Sequence, residues 1–457
     1  MAVAPTRAIL LTAKDDVAAV LAPLPANGEV SVTLSTSGEP LRRLTTRGAI
    51  PFGHKIAVRP IAAGQKVVRY GYPIGVATRD IGEGEHVHAH NMRSLLSPAA
   101  SDGGDKRVLH EAAPLRELVV TCLRAAGVPD QAAAAMANAL TEAHLRGVET
   151  HGLRRLRPYI DRIRSGGVDA MAEPTFEHRQ AVIRVDGRNG IGHYVAQRAT
   201  EEAIAAAQRL GIAVALVRNS NHFGFAGYYA GLMARAGQLG LVTSNGQVCV
   251  APEGRSRPFL SNNPLAIAAP TGDPDALLEL DLATSVTSRA NVVQAAKQGQ
   301  RLPPGLAQDD EGRMTQNAAA ALGGSLLALA GDRGFALLFA LEAMTGVLAG
   351  GAYADLVSSK ETSPNAPEGT AHTIIAIDLE SAIGAKDCAS RLDDMIARLH
   401  AVPGDAARPV RYPGERRWRL RRLRLHDGIP LTRADADDLA KLAAELGVTA
   451  TAALAHS

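Results

Sequence analysis

The sequence predicts an α/β protein preceded by a small all-β domain, and three features of its 457 residues predict it. Beyond Leu109, long Ala/Leu/Arg-rich segments with helical spacing alternate with short β-branched runs, the pattern of helices layered on a sheet. Residues 1–96 instead carry short apolar runs punctuated by Gly and Pro, with almost no helical periodicity. Between them, Ser97–Asp105 combines turn formers with no apolar stripe, the composition of a flexible connector. The expected division is 1–96, a linker over 97–108, and 109–457.

Within the first part, Val30–Leu34 and Val67–Tyr70 read as strands. In the second, Pro114–Ala126, Asp130–Arg146 and Tyr194–Leu210 read as helices, and Ile212–Val217 and Leu239–Thr243 as strands. No repeat of solenoid period is present. With 46% hydrophobic and 21% charged residues, the chain has the balance of a globular protein with more than one core. Its 49 basic and 46 acidic side chains nearly cancel, and no basic run is interleaved with aromatics, which argues against a nucleic-acid partner. Cys122, Cys249 and Cys388 are far apart without CxxC spacing, so they are expected to be reduced core thiols in the cytoplasm. No apolar stretch approaches the ~18 residues of a membrane span, and Ala8-Ile-Leu-Leu-Thr12 is too short for a signal h-region.

Two motifs of the large domain carry acid/base and anion-binding groups. In Glu149-Thr-His-Gly-Leu-Arg-Arg-Leu-Arg-Pro-Tyr159, a helix would align His151, Arg155 and Tyr159 as one polar stripe. The guanidinium suits a two-bonded grip on a carboxylate, and the imidazole and phenol can orient a neighbouring oxygen. Pro158 restricts such a helix to one that begins nearby. In Arg218-Asn-Ser-Asn-His-Phe-Gly224, His222 falls on the loop after the Ile212–Val217 strand, where α/β sheets place ligands. Asn219, Ser220 and Asn221 are the neighbours available to fix its tautomer, and an imidazole exchanges protons near neutrality. Leu260–Pro270 and Asp281–Ser285 end in small polar residues that would let backbone approach a cofactor, though ordinary turns read the same way. Gly190-Ile-Gly192 follows a strand and precedes a helix, yet Val195 stands where a third glycine belongs, so the usual dinucleotide fingerprint is unsupported.

Taken together and in this order, Thr-His-Gly-x-x-Arg-x-x-x-Tyr159, Asn-Ser-Asn-His-Phe-Gly224, Asn-Pro-Leu-Ala-Ile-Ala-Ala-Pro270, Asp-Leu-Ala-Thr-Ser285 and Tyr-Pro-Gly-Glu-Arg416 resemble the malate/L-lactate/ureidoglycolate dehydrogenase family over residues 109 to about 450. The resemblance implies an unconventional Rossmann-like fold and NAD or NADP as cofactor. It implies His222 as proton acceptor, His151 and Arg155 as the substrate pair, and Thr150 where serine is common. The cofactor would touch His222, Phe223, Gly224, Phe225, Ala226, Ser244, Asp281, Leu282, Ala283, Pro413, Gly414, Glu415 and Arg416. The chain departs from the family at Asn262, counted here with the substrate residues, and at Arg255 and Arg333. Each changes a group expected near the site.

In the small domain, Pro51–Ala57, Arg69–Gly75 and Gly84–Asn91 resemble the SAF-type β-clip domain of altronate and galactarate dehydratases and the small subunit of sulfolactate sulfo-lyase. A strand over 86–90 would point His86, His88 and His90 to one face, and with His54 they are possible metal ligands. The resemblance implies either one half of a lyase assembled with a large subunit on a separate protein or a retained substrate-binding module. The expected whole is a cytoplasmic homodimer that interconverts a small 2-hydroxy acid and its 2-oxo acid. Sulfolactate and sulfopyruvate are the pair that fits both resemblances, with sugar acids the alternative because the altronate-type resemblance is equally good. The alternative function is a subunit of a sulfolactate sulfo-lyase or sugar-acid dehydratase whose dehydrogenase-like part is mainly a scaffold.

Overall fold

The computed structural model describes residues 7–10, 15–34, 40–51, 54–69, 72–88, 90–94, 107–359, 362–403 and 410–454. Of the linker expected over 97–108, residues 97–106 lie outside them and Val108 begins a strand, Val108–His110; Phe52, Gly53, Tyr70, Gly71 and Ala89 of the small-domain motifs also lie outside the described residues. The chain divides into two compact units, one drawn from 1–105 with 401–410 and the other from 106–400 with 411–457.

The first unit is built of strands, with no helix among its described residues. A six-stranded sheet runs in the order Pro40–Thr45, Glu29–Leu34, Arg7–Leu10, Val17–Val20, Lys55–Ala57 and His86–Val87. A three-stranded sheet pairs Lys66–Arg69, Tyr72–Ala77 and Met92–Ser94. Alternation explains the larger sheet: Val30 and Val32 are buried in one core with Ala8, Val20 and Ile56. The strand expected over 86–90 stops at Val87, because the Asn91 side chain accepts the His88 N–H and donates to the His86 carbonyl, closing a turn.

In the second unit a seven-stranded mixed sheet runs in the order Thr175–Arg179, Val182–Asp186, Ile212–Ser220, Thr370–Asp378, Gln238–Ser244, Leu265–Pro270 and Leu277–Leu282. Only Val182–Asp186 and Ile212–Ser220 pair in parallel; every other neighbour is antiparallel. Its core is packed by helices Gly192–Leu210 and Ala226–Arg235. Alanine dominates the contact, with Ala196, Ala199 and Ala203 facing Ala213 and Ala215, so helix and sheet approach closely. Gly211, at φ +82°, ends the longer helix in the left-handed conformation that glycine adopts without cost.

A helical layer forms a second core from Ala112–Ala125, Asp130–Leu145, Leu156–Arg164 and Arg433–Glu445. Arg424 and Trp418 of helix Glu415–Asp427 are buried too, and Arg146 lies 4.2 Å over the Trp418 ring. A third, smaller core gathers around helices Arg289–Lys297, Ala318–Gly323 and Asp332–Glu342. Cys122 and Cys249 are buried free thiols, whereas Cys388 is half-exposed rather than in the core. Among the described residues, no helix is long and apolar enough to cross a membrane.

Candidate active site

The Ile212–Ser220 strand hands the chain to Asn221–Phe225, and several anchors hold that loop. Asn219 stands in the left-handed region at φ 53° and its amide donates to both Asp186 oxygens at 3.1 Å. Ser220 is hydrogen-bonded to His372 Nε2 at 2.8 Å, and His372 Nδ1 to Ser244 at 2.8 Å. Asn221 donates to Asn189 and Gly190 from across the adjoining turn. These three residues therefore anchor backbone, and the tautomer of His222 is set elsewhere, which corrects the sequence expectation. Gly192, the last glycine of the false fingerprint, has a different purpose: a Cβ there would lie 2.1 Å from the Asn221 carbonyl oxygen and 2.5 Å from that of His222. Only glycine lets the helix start so close to this loop.

The Thr-His-Gly motif is not one continuous helix. Glu149–His151 and Leu153–Arg155 are separate 3₁₀ turns, and the α-helix begins at Leu156, which leaves Pro158 in its first turn where proline is tolerated. Buried His144 accepts the Leu153 N–H at 2.9 Å, and a Cβ on Gly152 would fall 1.9 Å from that nitrogen. Thr150 is hydrogen-bonded to His151 Nδ1 at 3.0 Å, while its carbonyl accepts from Arg155 Nε at 2.9 Å.

Across these turns the Tyr159 hydroxyl meets His222 Nδ1 at 2.6 Å, and the His151 ring stacks on His222 at 5.7 Å. Burial pushes the Tyr159 phenol well above its ordinary range, so it stays protonated. A cavity of about 40 Å³ opens beside them, with Arg155, Tyr159, Arg162, Asn221, His222 and Glu368 as its polar lining. Met136, Ile163, Val168 and Ile191 form its apolar wall.

Glu368 and Arg162 escape any local reading of the sequence. Glu368 accepts the His222 backbone N–H at 2.9 Å and faces Arg162 at 3.6 Å, and both are buried. Arg162 also donates to the carbonyls of Gly167, Pro364 and Ala366. The carboxylate comes from just before the Thr370–Asp378 strand, 146 residues from its partner, so no spacing rule could have found it.

Other expected site residues stand apart from this lining. Asn262 offers its carbonyl to Thr284, and the Ser244 hydroxyl is hydrogen-bonded to the Asn245 and Ala371 carbonyls and to His372. Asp281 is buried against Arg417 at 3.2 Å, and desolvation raises its carboxyl to about 6. Pro413 accepts from the Glu279 backbone, and Gly414 packs against Glu279 so tightly that a Cβ would lie 2.9 Å away. Leu282 and Ala283 follow Asp281, Phe223 and Phe225 are buried in the sheet core, and Glu415 accepts from His400. The Arg416 side chain is exposed, as is Arg333, and Arg255 closes a turn on Pro252.

In the other unit the rings of His54, His86, His88 and His90 do gather, with centroids 4.7 to 5.6 Å apart. Yet among the described residues no three His, Cys, Asp or Glu side chains are grouped to hold a metal ion. His54 Nδ1 and His86 Nε2 bond to each other at 2.7 Å, so one of these nitrogens donates and the lone pair of the other is taken.

Residues 111–440 match the family model for malate/L-lactate dehydrogenase. The chain belongs to that family. Residues 6–95 match the SAF domain of altronate/galactarate dehydratase. Among similar family members, malate dehydrogenase from Pyrococcus horikoshii is 33% identical, over 73% of this chain and 94% of that one. The (2R)-3-sulfolactate dehydrogenase (NADP(+)) of Chromohalobacter salexigens is 35% identical, over 70% and 94%. The solved sulfolactate dehydrogenase of Methanocaldococcus jannaschii superposes with a TM-score of 0.68 at 27% identity, over 75% of this chain and 98% of that one. The malate/L-lactate dehydrogenase fold thus accounts for the larger unit.

Proposed function

We propose that residues 109–457, joined by a 97–108 linker to a β-clip domain over 1–96, catalyse NAD- or NADP-dependent interconversion of a small 2-hydroxy acid and its 2-oxo acid. The observation that carries this reading is the convergence of His222, Tyr159 and Arg155 on one small cavity. Arg155 grips the substrate carboxylate, with His151 and Thr150 holding its turn in place. His222 exchanges the proton of the C2 oxygen, accepting it in oxidation and returning it in reduction. The apolar wall keeps water from the reacting carbon.

The chemistry of the lining also suits a nicotinamide. Asn221 Oδ1 is a buried acceptor with no hydrogen-bond partner among the described residues, and it stands beside that wall, which suits a flat ring bearing a carboxamide. Residues 222–226 would hold the ring end. Ser244, 281–283 and 413–416 would offer the rest of the nucleotide mainly backbone, because the Ser244 and Asp281 side chains are already engaged. The bound nucleotide would supply or accept the hydride at C2. A homodimer accords with the exposed Phe339, Val347, Leu348 and Leu356, which an apolar partner surface would cover.

Sulfolactate and sulfopyruvate are the favoured pair. Sulfolactate dehydrogenases stand among the relatives, and the motifs of the fused β-clip domain, which matches the SAF domain of altronate/galactarate dehydratase, also resemble a sulfo-lyase small subunit. Screening 2-oxo acids with NADH and NADPH tests the reading: sulfopyruvate should give the highest kcat/KM, and His222→Ala should lower turnover roughly 10²–10⁴-fold. Failure of every oxo acid with both nucleotides would remove the proposal.

The match of residues 6–95 favours a second reading, in which the chain is a lyase subunit and the dehydrogenase-like part its scaffold. Elimination activity that appears only with an altronate-dehydratase-type or sulfo-lyase-type large subunit would support it. Elimination by the chain alone would count against it.

A further inference from the structure

Two hydrogen-bond donors converge on one nitrogen of His222. Gly224 N–H approaches Nδ1 at 3.3 Å, and a backbone N–H can only donate. The Tyr159 hydroxyl approaches the same atom at 2.6 Å. Nδ1 must then present its lone pair, and the proton of the neutral ring belongs on Nε2. Gly224 can aim its N–H this way because it stands at φ +86°, packed so closely that a Cβ would lie 3.1 Å from buried His193. The His193 ring in turn meets Tyr159 edge-on at 4.8 Å and holds the phenol in place.

We propose that Tyr159 is a positioning residue that locks neutral His222 as its Nε2–H tautomer, so that the free enzyme offers the substrate oxygen a donor rather than an acceptor. This rests on the dehydrogenase reading and adds a direction to it. A 2-oxo acid, whose carbonyl oxygen only accepts, is met by a ready N–H. A 2-hydroxy acid can give its proton to Nε2 only after the ring has passed the Nε2 proton to water and taken one at Nδ1, standing as the other neutral tautomer. Tyr159 can assist that exchange, because its hydroxyl accepts from Nδ1–H as readily as it donates to bare Nδ1. Burial keeps the phenol protonated, so it remains a donor in the resting enzyme.

The assignment is tested by ¹⁵N NMR of the full chain with labelled histidine, the His222 signals being identified by their loss in His222→Gln. The wild type should show Nε2 protonated and Nδ1 bare when neutral; the opposite pattern overturns the proposal without any variant. Tyr159→Phe removes one oxygen and keeps the ring contact with His193. It should shift the tautomer population toward Nδ1–H and lower kcat for oxo-acid reduction roughly 10–100-fold, with KM for the acid within about threefold. An unchanged tautomer in Tyr159→Phe, or a changed tautomer with full kcat, also overturns it. The NMR result needs no turnover, so failure of the dehydrogenase reading would show separately as an absence of nicotinamide turnover in the wild type.

Discussion

At the scale of single residues, the site is shaped as much by glycines as by the groups that do chemistry. Gly152 makes room for His144, Gly192 for the backbone of Asn221 and His222, and Gly224 for His193. Each lies in a motif visible in the sequence, but the reason for each is a neighbour outside that motif, about 30 residues away for Gly192 and Gly224. Gly192→Ala would put a methyl group against two carbonyls that cannot yield separately. We expect it to destabilise the protein by about 1–3 kcal/mol, the usual cost of overpacking, and to displace His222. Paired denaturation and kinetic measurements check this, and a variant with wild-type midpoint and turnover would contradict it.

At the scale of elements, the join between helices Asp130–Leu145 and Glu415–Asp427 depends on charge held out of water. Arg146 pairs with Glu142 and Glu279 at 2.9 Å, Arg417 pairs with Glu279 and Asp281, and Arg421 pairs with Glu142. The Arg146 and Glu279 side chains are 3% and 0% exposed, so water cannot replace a lost partner. Arg146→Ala should therefore cost about 2–4 kcal/mol, because it leaves buried Glu279 with Arg417 as its arginine partner and opens space over Trp418. Urea denaturation reads this directly, and a loss below 1 kcal/mol would show that Arg417 alone suffices. The charged run in helix Glu415–Asp427 resembles a solvated face in sequence. Burial of Trp418 and Arg424 is a tertiary fact, since only the packed partner distinguishes inner arginines from outer ones.

At the scale of the whole molecule, three buried histidines tie stability to pH. Burial lowers His144 to about 4 and His193 and His372 to about 3, against about 6.5 in the unfolded chain. Between those limits the unfolded state binds more protons than the folded one, so stability rises with pH across the window. Tm should be insensitive to these groups above about pH 6.5 and should fall as the pH drops toward 4. His144→Gln, which removes one titrating group, should flatten that slope. A Tm unchanged from pH 7 to 4 would refute the assignment of neutral buried imidazoles.

The sequence by itself determined what depends on neighbours along the chain. The change from punctuated apolar runs to alternating helix and strand placed an all-β part before an α/β part, and periodicity located the principal helices to within a few residues. The polar groups of Thr-His-Gly and Asn-Ser-Asn-His-Phe-Gly were legible as chemistry because they stand in compact motifs. Tertiary structure alone decided what depends on distance in space. It inserted Thr370–Asp378 between strands formed more than a hundred residues earlier and brought Glu368 to the His222 backbone. It also gave His222 a tyrosine partner in place of its adjacent amides, and it brought His54 into hydrogen bond with His86. The physical reason is common to all four: local pattern reports which face a residue turns to the core, whereas a hydrogen bond is formed with whatever group the packed chain brings within 3 Å.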